Sequence, residues 1–183
     1  MTVMKQTNFM MKFTTKVLLP IFLAVIIALP TQAQDRPVHE IHSMMIFNFI
    51  KYIQWPEANG GDAFVIGVIG DDEVYTTLNT WYGGKLRGNK KFTVKKFNSL
   101  AEISNCEILY VARGSSKEFD AIKAKVASSS TLLITDKAGL GEKGSGINFR
   151  TINDKLAFEL NQKAIEASKL KVSGQLSSMA ILI

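Results

Sequence analysis

The chain has 183 residues, 46% of them hydrophobic, and its 22 basic and 16 acidic side chains give a formal net charge of +6. Lys5, Lys12 and Lys16 lie in the first 33 residues, where there is no acid, so the remainder holds 19 bases against 16 acids. That bias is too small for a nucleic-acid-binding surface. The lone Cys106 excludes an intramolecular disulfide, and its place beside an apolar run suits a small buried hydrophobe.

The first element reads as a secretory signal. Lys12 and Lys16 precede an apolar run over residues 17–29, and Thr31-Gln32-Ala33 supplies the small residues that a signal peptidase needs. Cleavage is expected after Ala33, with Met1 or Met11 as the start. A retained anchor fits less well, because the run is shorter than the ~20 residues that span a bilayer and Pro20 interrupts it. Residues 34–183 then form one exported domain, a size that suits one core.

Apolar residues Ile41, Met44, Met45, Phe49, Tyr52 and Ile53 recur at helical spacing, predicting a helix over residues 38–55 that Pro56 ends. Residues 64–69 are a continuous apolar run closed by Gly70, the form of a strand buried on both faces. Asp71 and Asp72 cap a following helix with Val74, Leu78 and Trp81 on its periodic face, and Gly83-Gly84 stops it. Phe92, Val94 and Phe97 mark a strand, and residues 107–112 a more deeply buried one.

Ser115-Ser116-Lys117-Glu118 has capping-box spacing and opens a helix with Phe119, Ile122 and Val126 inward. Residues 131–135 are a further apolar strand. After the glycine-rich stretch 139–146, read as a mobile loop, Ile147, Phe149 and Thr151 alternate. Asn153-Asp154 then turns the chain into Leu156, Phe158 and Leu160, a β-hairpin. Asn161 caps a short helix, and residues 173–183 end the chain helically with Leu176 and Met179 inward. The fold class predicted is α/β: a mainly parallel sheet with helices on both faces, the hairpin adding an antiparallel edge before the terminal helix.

Chemistry-bearing patterns are sparse. Asp71, Asp72 and Asp136 follow strands, and in an open α/β sheet the carboxyl ends of strands are where ligands bind, so Gly70, Asp71 and Asp136 outline a candidate crevice. Capping accounts for Asp71 and Asp72, and a turn for Asp136. His39 and His42 are spaced to share a helix face, but no third ligand accompanies them and they read as surface polar groups. Ser115-Ser116 lacks a nucleophile elbow, and the 139–146 stretch lacks Walker spacing despite Lys143. No catalytic set, metal site or cofactor is expected.

Recognition residue types are better represented. Trp55, and Trp81 with Tyr82, end two helices near turns. Asn48 and Lys51 stand one turn apart, and Tyr82, Lys85 and Arg87 make an aromatic and basic strip around two glycines. These seven are the candidate partner-binding residues.

An ordered set of blocks resembles the YfiR family of periplasmic regulators. The set begins with Asn48-Phe49-Ile50-Lys51-Tyr52-Ile53-Gln54-Trp55-Pro56 and continues with Phe64-Val65-Ile66-Gly67-Val68-Ile69-Gly70-Asp71-Asp72 and Leu86-Arg87-Gly88. Cys106-Glu107-Ile108-Leu109-Tyr110, Leu133-Ile134-Thr135-Asp136 and Ile147-Asn148-Phe149 follow, and Leu156-Ala157-Phe158-Glu159-Leu160-Asn161 closes it. The resemblance implies a binding role, not a reaction. Its expectations are a periplasmic homodimer that holds down an inner-membrane diguanylate cyclase, or a sensor kinase in its place, by gripping its periplasmic domain. An outer-membrane lipoprotein would draw the repressor away. The chain departs from the family in keeping only Cys106 where characterised members have redox-responsive cysteine pairs. It also has Ser168-Lys169-Leu170 where a Gly-Leu step is usual. The alternative is a periplasmic solute-binding protein that uses the Gly70, Asp71 and Asp136 crevice.

Overall fold

A computed structural model describes residues 36–56, 62–153 and 155–183. The expected signal and its cleavage site after Ala33 lie outside the described residues, as does Asp154 of the hairpin turn. Helix α1 (Val38–Phe49) leads into β1 (Ile53–Gln54), followed by β2 (Ala63–Ile69), α2 (Asp72–Tyr82), β3 (Leu86–Arg87), β4 (Lys90–Phe97) and β5 (Ile108–Val111). The second half runs through α3 (Phe119–Val126), β6 (Leu132–Thr135), β7 (Ile147–Ile152), β8 (Lys155–Leu160), α4 (Gln162–Ala167), β9 (Lys171–Val172), α5 (Gly174–Met179) and β10 (Ile181–Leu182).

Eight strands form one sheet in the order β10-β8-β7-β6-β5-β2-β4-β3. The five from β4 to β7 are mutually parallel, as the unbroken apolar runs of β2, β5 and β6 require of strands covered on both faces. On one face, α1, α2 and α5 enclose Phe64, Ile66, Val68, Ile108, Tyr110, Ile134, Phe149 and Phe158. On the other, Phe119, Ile122 and Val126 of α3 cover Ile69, Phe97, Leu109, Val111 and Leu133. Gly67 faces this second layer, where an added Cβ would stand 2.6 Å from Phe97 Cε2 and 3.1 Å from Leu109 Cδ1. The α/β class and its mainly parallel sheet are as the alternation of elements predicts.

Several local readings are corrected. The first helix ends at Phe49, not near Trp55, because the chain turns over residues 50–52 and sends Ile53 into a separate antiparallel pair with Val172. No capping box forms at Ser115. Residues Arg113–Glu118 are a 3₁₀ helix without a side-chain cap, Ser115 packs against Gly70, and the α-helix starts at Phe119. The 139–146 stretch is a hydrogen-bonded turn with Leu140 and Ser145 buried, not a loose loop. Phe149 faces Phe158 across the hairpin as expected, but the sheet edge is β10, parallel to β8. The terminal helix is therefore short, with Leu176 buried and Met179 53% exposed.

The Asp71 and Asn161 caps form as read: Asp71 Oδ1 accepts from Val74 N at 2.8 Å and Asn161 Oδ1 from Ala164 N at 2.9 Å. Lys169 adopts a left-handed backbone, with φ 58°. Leu170 N donates to Ile165 O and Lys169 N to Glu166 O, so the turn that ends α4 is kept at the cost of a left-handed lysine.

Candidate functional site

Two of the seven partner-binding candidates, from distant parts of the chain, meet in one cleft. Trp55, Gln54 and Pro56 follow from β1, Phe64 from β2, Arg87 from β3, Lys90 from β4 and Glu107 from the approach to β5, around a volume of about 340 Å³. Trp55 Nε1 donates to the Glu107 carbonyl at 3.0 Å, and its ring stands edge-on to Phe64 with centroids 5.0 Å apart. The indole is thus a half-buried wall of the cleft.

Arg87 covers the aromatic floor. Its guanidinium lies 4.8 Å from the Phe64 centroid and 5.5 Å from that of Trp55, a cation–π arrangement, and Nη2 donates to Ile50 O at 3.5 Å. Burial lowers its pKa, and the Glu107 carboxylate opposes that shift. Glu107 is buried, with Oε2 accepting from Val65 N at 2.6 Å. Arg87 therefore packs over the aromatic wall of the cleft while remaining exposed to solvent.

Tyr82 and Lys85 form a neighbouring unit at the end of α2. The Tyr82 ring stacks on Phe47 at 3.8 Å, Lys85 Nζ lies 5.5 Å above it, and burial raises the tyrosine's pKa. Trp81 meets Tyr82 edge-on at 6.2 Å. Asn48 is exposed on α1. Lys51, expected one helical turn away, is exposed in the turn after the helix has ended. Phe64, Lys90 and Glu107 were missed by the residue-type reading; the signal for Glu107 was an acid heading an otherwise apolar strand.

The strand-end residues form a filled arrangement. Asp71 is held in its capping bond, and Gly70, at φ 87°, leaves room for Ser115, whose Oγ lies 2.5 Å from where a Cβ would stand. Asp136 Oδ1 is buried with no hydrogen-bond partner. Burial raises the Asp136 pKa, while the neighbouring Tyr110 hydroxyl and Arg113 oppose the rise. Arg113 Nη2 also donates to the Asp136 carbonyl at 3.2 Å.

His42 belongs to this region and corrects the reading of it as a surface residue. It is 5% exposed, stacks on Phe149 at 4.3 Å and meets the Tyr110 hydroxyl through Nδ1 at 3.1 Å. Its pKa is lowered to about 4, chiefly by burial. His39 turns instead to Glu73 on α2 at 3.2 Å, so the two histidines do not converge. Among the described residues no three His, Cys, Asp or Glu side chains are placed to hold a metal, and no helix is long and apolar enough to cross a membrane.

A search of curated proteins found no match. The model of a family described as YfiR/HmsC-like matches residues 39–181. That span takes in both strand-end and cleft residues and nearly every described element, and the chain belongs to this family of periplasmic regulators.

Proposed function

We propose that the protein is exported, cut after Ala33, and tunes an inner-membrane signalling protein, a diguanylate cyclase or a sensor kinase, by binding its periplasmic domain. The observation that carries this reading is the cleft in which Arg87 lies over Trp55 and Phe64. Tryptophan and arginine in a concave, partly desolvated setting are the residue types that dominate binding energy at protein interfaces. Repression then needs no chemistry. Preferential binding to the inactive conformation of the sensor domain moves its population, and release, by an outer-membrane lipoprotein in the family pattern, moves it back. The repressor would act as a homodimer.

Deletion of the gene should raise the partner's output, read as cellular cyclic-di-GMP and surface attachment for a cyclase or as kinase reporter expression for a kinase. Complementation by the intact gene should reverse it. Unchanged output in every readout would remove the repressor reading. Solute binding at Gly70, Asp71 and Asp136 is the alternative, and the unpartnered Asp136 Oδ1 supports it. The capping role of Asp71 and the seating of Ser115 on Gly70 leave that crevice little room. Asp136→Asn decides between them: the cleft reading expects a folded variant that still represses, and loss of repression transfers the function to the strand ends.

A further inference from the structure

We infer that the β3–β4 hairpin, together with the cleft beside it, docks an acidic protein segment of the regulated partner. The inference rests on the repressor reading and names the chemistry of the surface the repressor grips. From residue 74 to residue 101 the chain has six bases, Lys85, Arg87, Lys90, Lys91, Lys95 and Lys96, and no acid. Asp72 pairs with Lys96 at 2.8 Å. Four of the other five lie on β3 and β4, and Lys85 immediately precedes β3, which ends the eight-stranded sheet.

Register places two of these cations together. Arg87 is the cross-strand partner of Lys90, so both project to one face, that of Phe92 and Phe64, where they line the cleft. Like charges directly opposite in an antiparallel pair repel, and this pair stands where burial already lowers the Arg87 pKa. Among the described residues Glu107 is the one acid that lines the cleft. It is 7% exposed with its Oε2 engaged by Val65 N, and its single charge, which favours the charged form of Arg87, is outnumbered by the two lining cations. Lys85 and Lys91, both exposed, add positive charge at the rim.

The shape selects a protein over a flat anionic surface. Trp55 and Pro56, both half-buried, give apolar surface to a concavity of about 340 Å³, large enough for a protruding side chain. Beside it Leu86 is 72% exposed on the sheet's terminal strand, in reach of a chain running along that edge. A segment with carboxylates spaced around one apolar side chain would answer both features. Its attraction to the hairpin would weaken with added salt.

The test uses the full exported protein in its own host. A photo-crosslinking amino acid at position 86 should capture a peptide rich in Asp and Glu from the periplasmic part of a membrane protein, with a yield that falls as salt is added. Lys85→Glu combined with Lys91→Glu should abolish that crosslink and derepress the output as deletion does, while circular dichroism and melting temperature stay those of the wild type. Suppressors of the double variant should be Asp or Glu to Lys changes within the captured segment. Capture of a neutral or basic segment, or of a second copy of this chain, would overturn the inference, as would a folded double variant that represses normally. So would retention of the protein on phosphatidylglycerol vesicles that the double variant loses, since the basic strip would then belong to lipid. Should gene deletion leave the output unchanged, the repressor reading falls alone, and the composition of the crosslinked peptide still decides the docking chemistry.

Discussion

Burial of His42 should make the stability of this protein pH-dependent in a way that one substitution removes. Its imidazole titrates at 6.5 when unfolded and at about 4 when folded, because burial among Phe149 and Tyr110 penalises the charged form. Asp71 opposes that shift and Arg113 adds to it. A depressed folded pKa means that the unfolded chain binds the proton first. The stabilisation is therefore complete above 6.5 and is lost as pH falls through the window down to about 4. Going from about pH 7 to about pH 5 should remove about 2 kcal/mol, and the whole window about 3 kcal/mol. Asp136, with its raised pKa, contributes in the opposite direction. That contribution is shared by wild type and His42→Phe and cancels in their difference. The phenylalanine keeps a ring against Phe149 and removes the contact between His42 and the Tyr110 hydroxyl, a fixed loss at every pH. Urea unfolding of both proteins across the window should show the wild-type advantage shrinking by about 2 kcal/mol between about pH 7 and about pH 5. Parallel pH profiles would refute the claim that a neutral His42 is what the core holds.

Phe149→Ala should cost about 3 to 5 kcal/mol in chemical denaturation, since the ring is 2% exposed and touches His42, Phe49 and Tyr110; a wild-type midpoint would count against this packing. Gly67→Ala should destabilise by about 1 to 3 kcal/mol in the same assay, because Phe97 and Leu109 must give way to the new methyl. Lys169→Gly should raise stability by about 1 kcal/mol by relieving a left-handed lysine at φ 58°, and a lower melting temperature would argue against the turn described. Cys106 is buried, and burial with the Glu107 charge pushes its thiol up to about 12. It should stay unmodified by thiol reagents at neutral pH until denaturant is added, and rapid labelling of the native protein would contradict that burial.

Much of the architecture was legible because it rests on local pattern. Unbroken apolar runs at β2, β5 and β6 can only be strands covered on both faces, and Asp71 and Asn161 announce helix starts because their side chains reach the backbone three residues on. The ordered blocks were enough to point to the family that the match over residues 39–181 shows. The local errors share a cause, which is that pattern cannot register a competing long-range contact. Helical spacing runs past Phe49, but Ile53 leaves the helix to pair with Val172, almost 120 residues on. Ser115 has capping-box spacing, yet Gly70, without a side chain, lets it pack across the strand ends instead.

The candidate sites divide in the same way. Residue type alone picked out Trp55 and Arg87, because indole and guanidinium are the groups that interfaces favour. That they stack in one cleft with Phe64, and that Arg87 stands opposite Lys90, follows from the order and register of β1 to β4, which no spacing along the chain encodes. His42 is the sharpest case. Two histidines three apart look alike as sequence, but α1 turns one toward Glu73 at the surface and the other into the hairpin's aromatic layer. The sequence by itself determined which segments must be buried and where helices begin, since those depend on short-range hydrophobic period and capping chemistry. Which polar and aromatic groups share a site was decided only by tertiary structure, because their charge and hydrogen-bonding state depend on partners that strand order brings from distant parts of the chain.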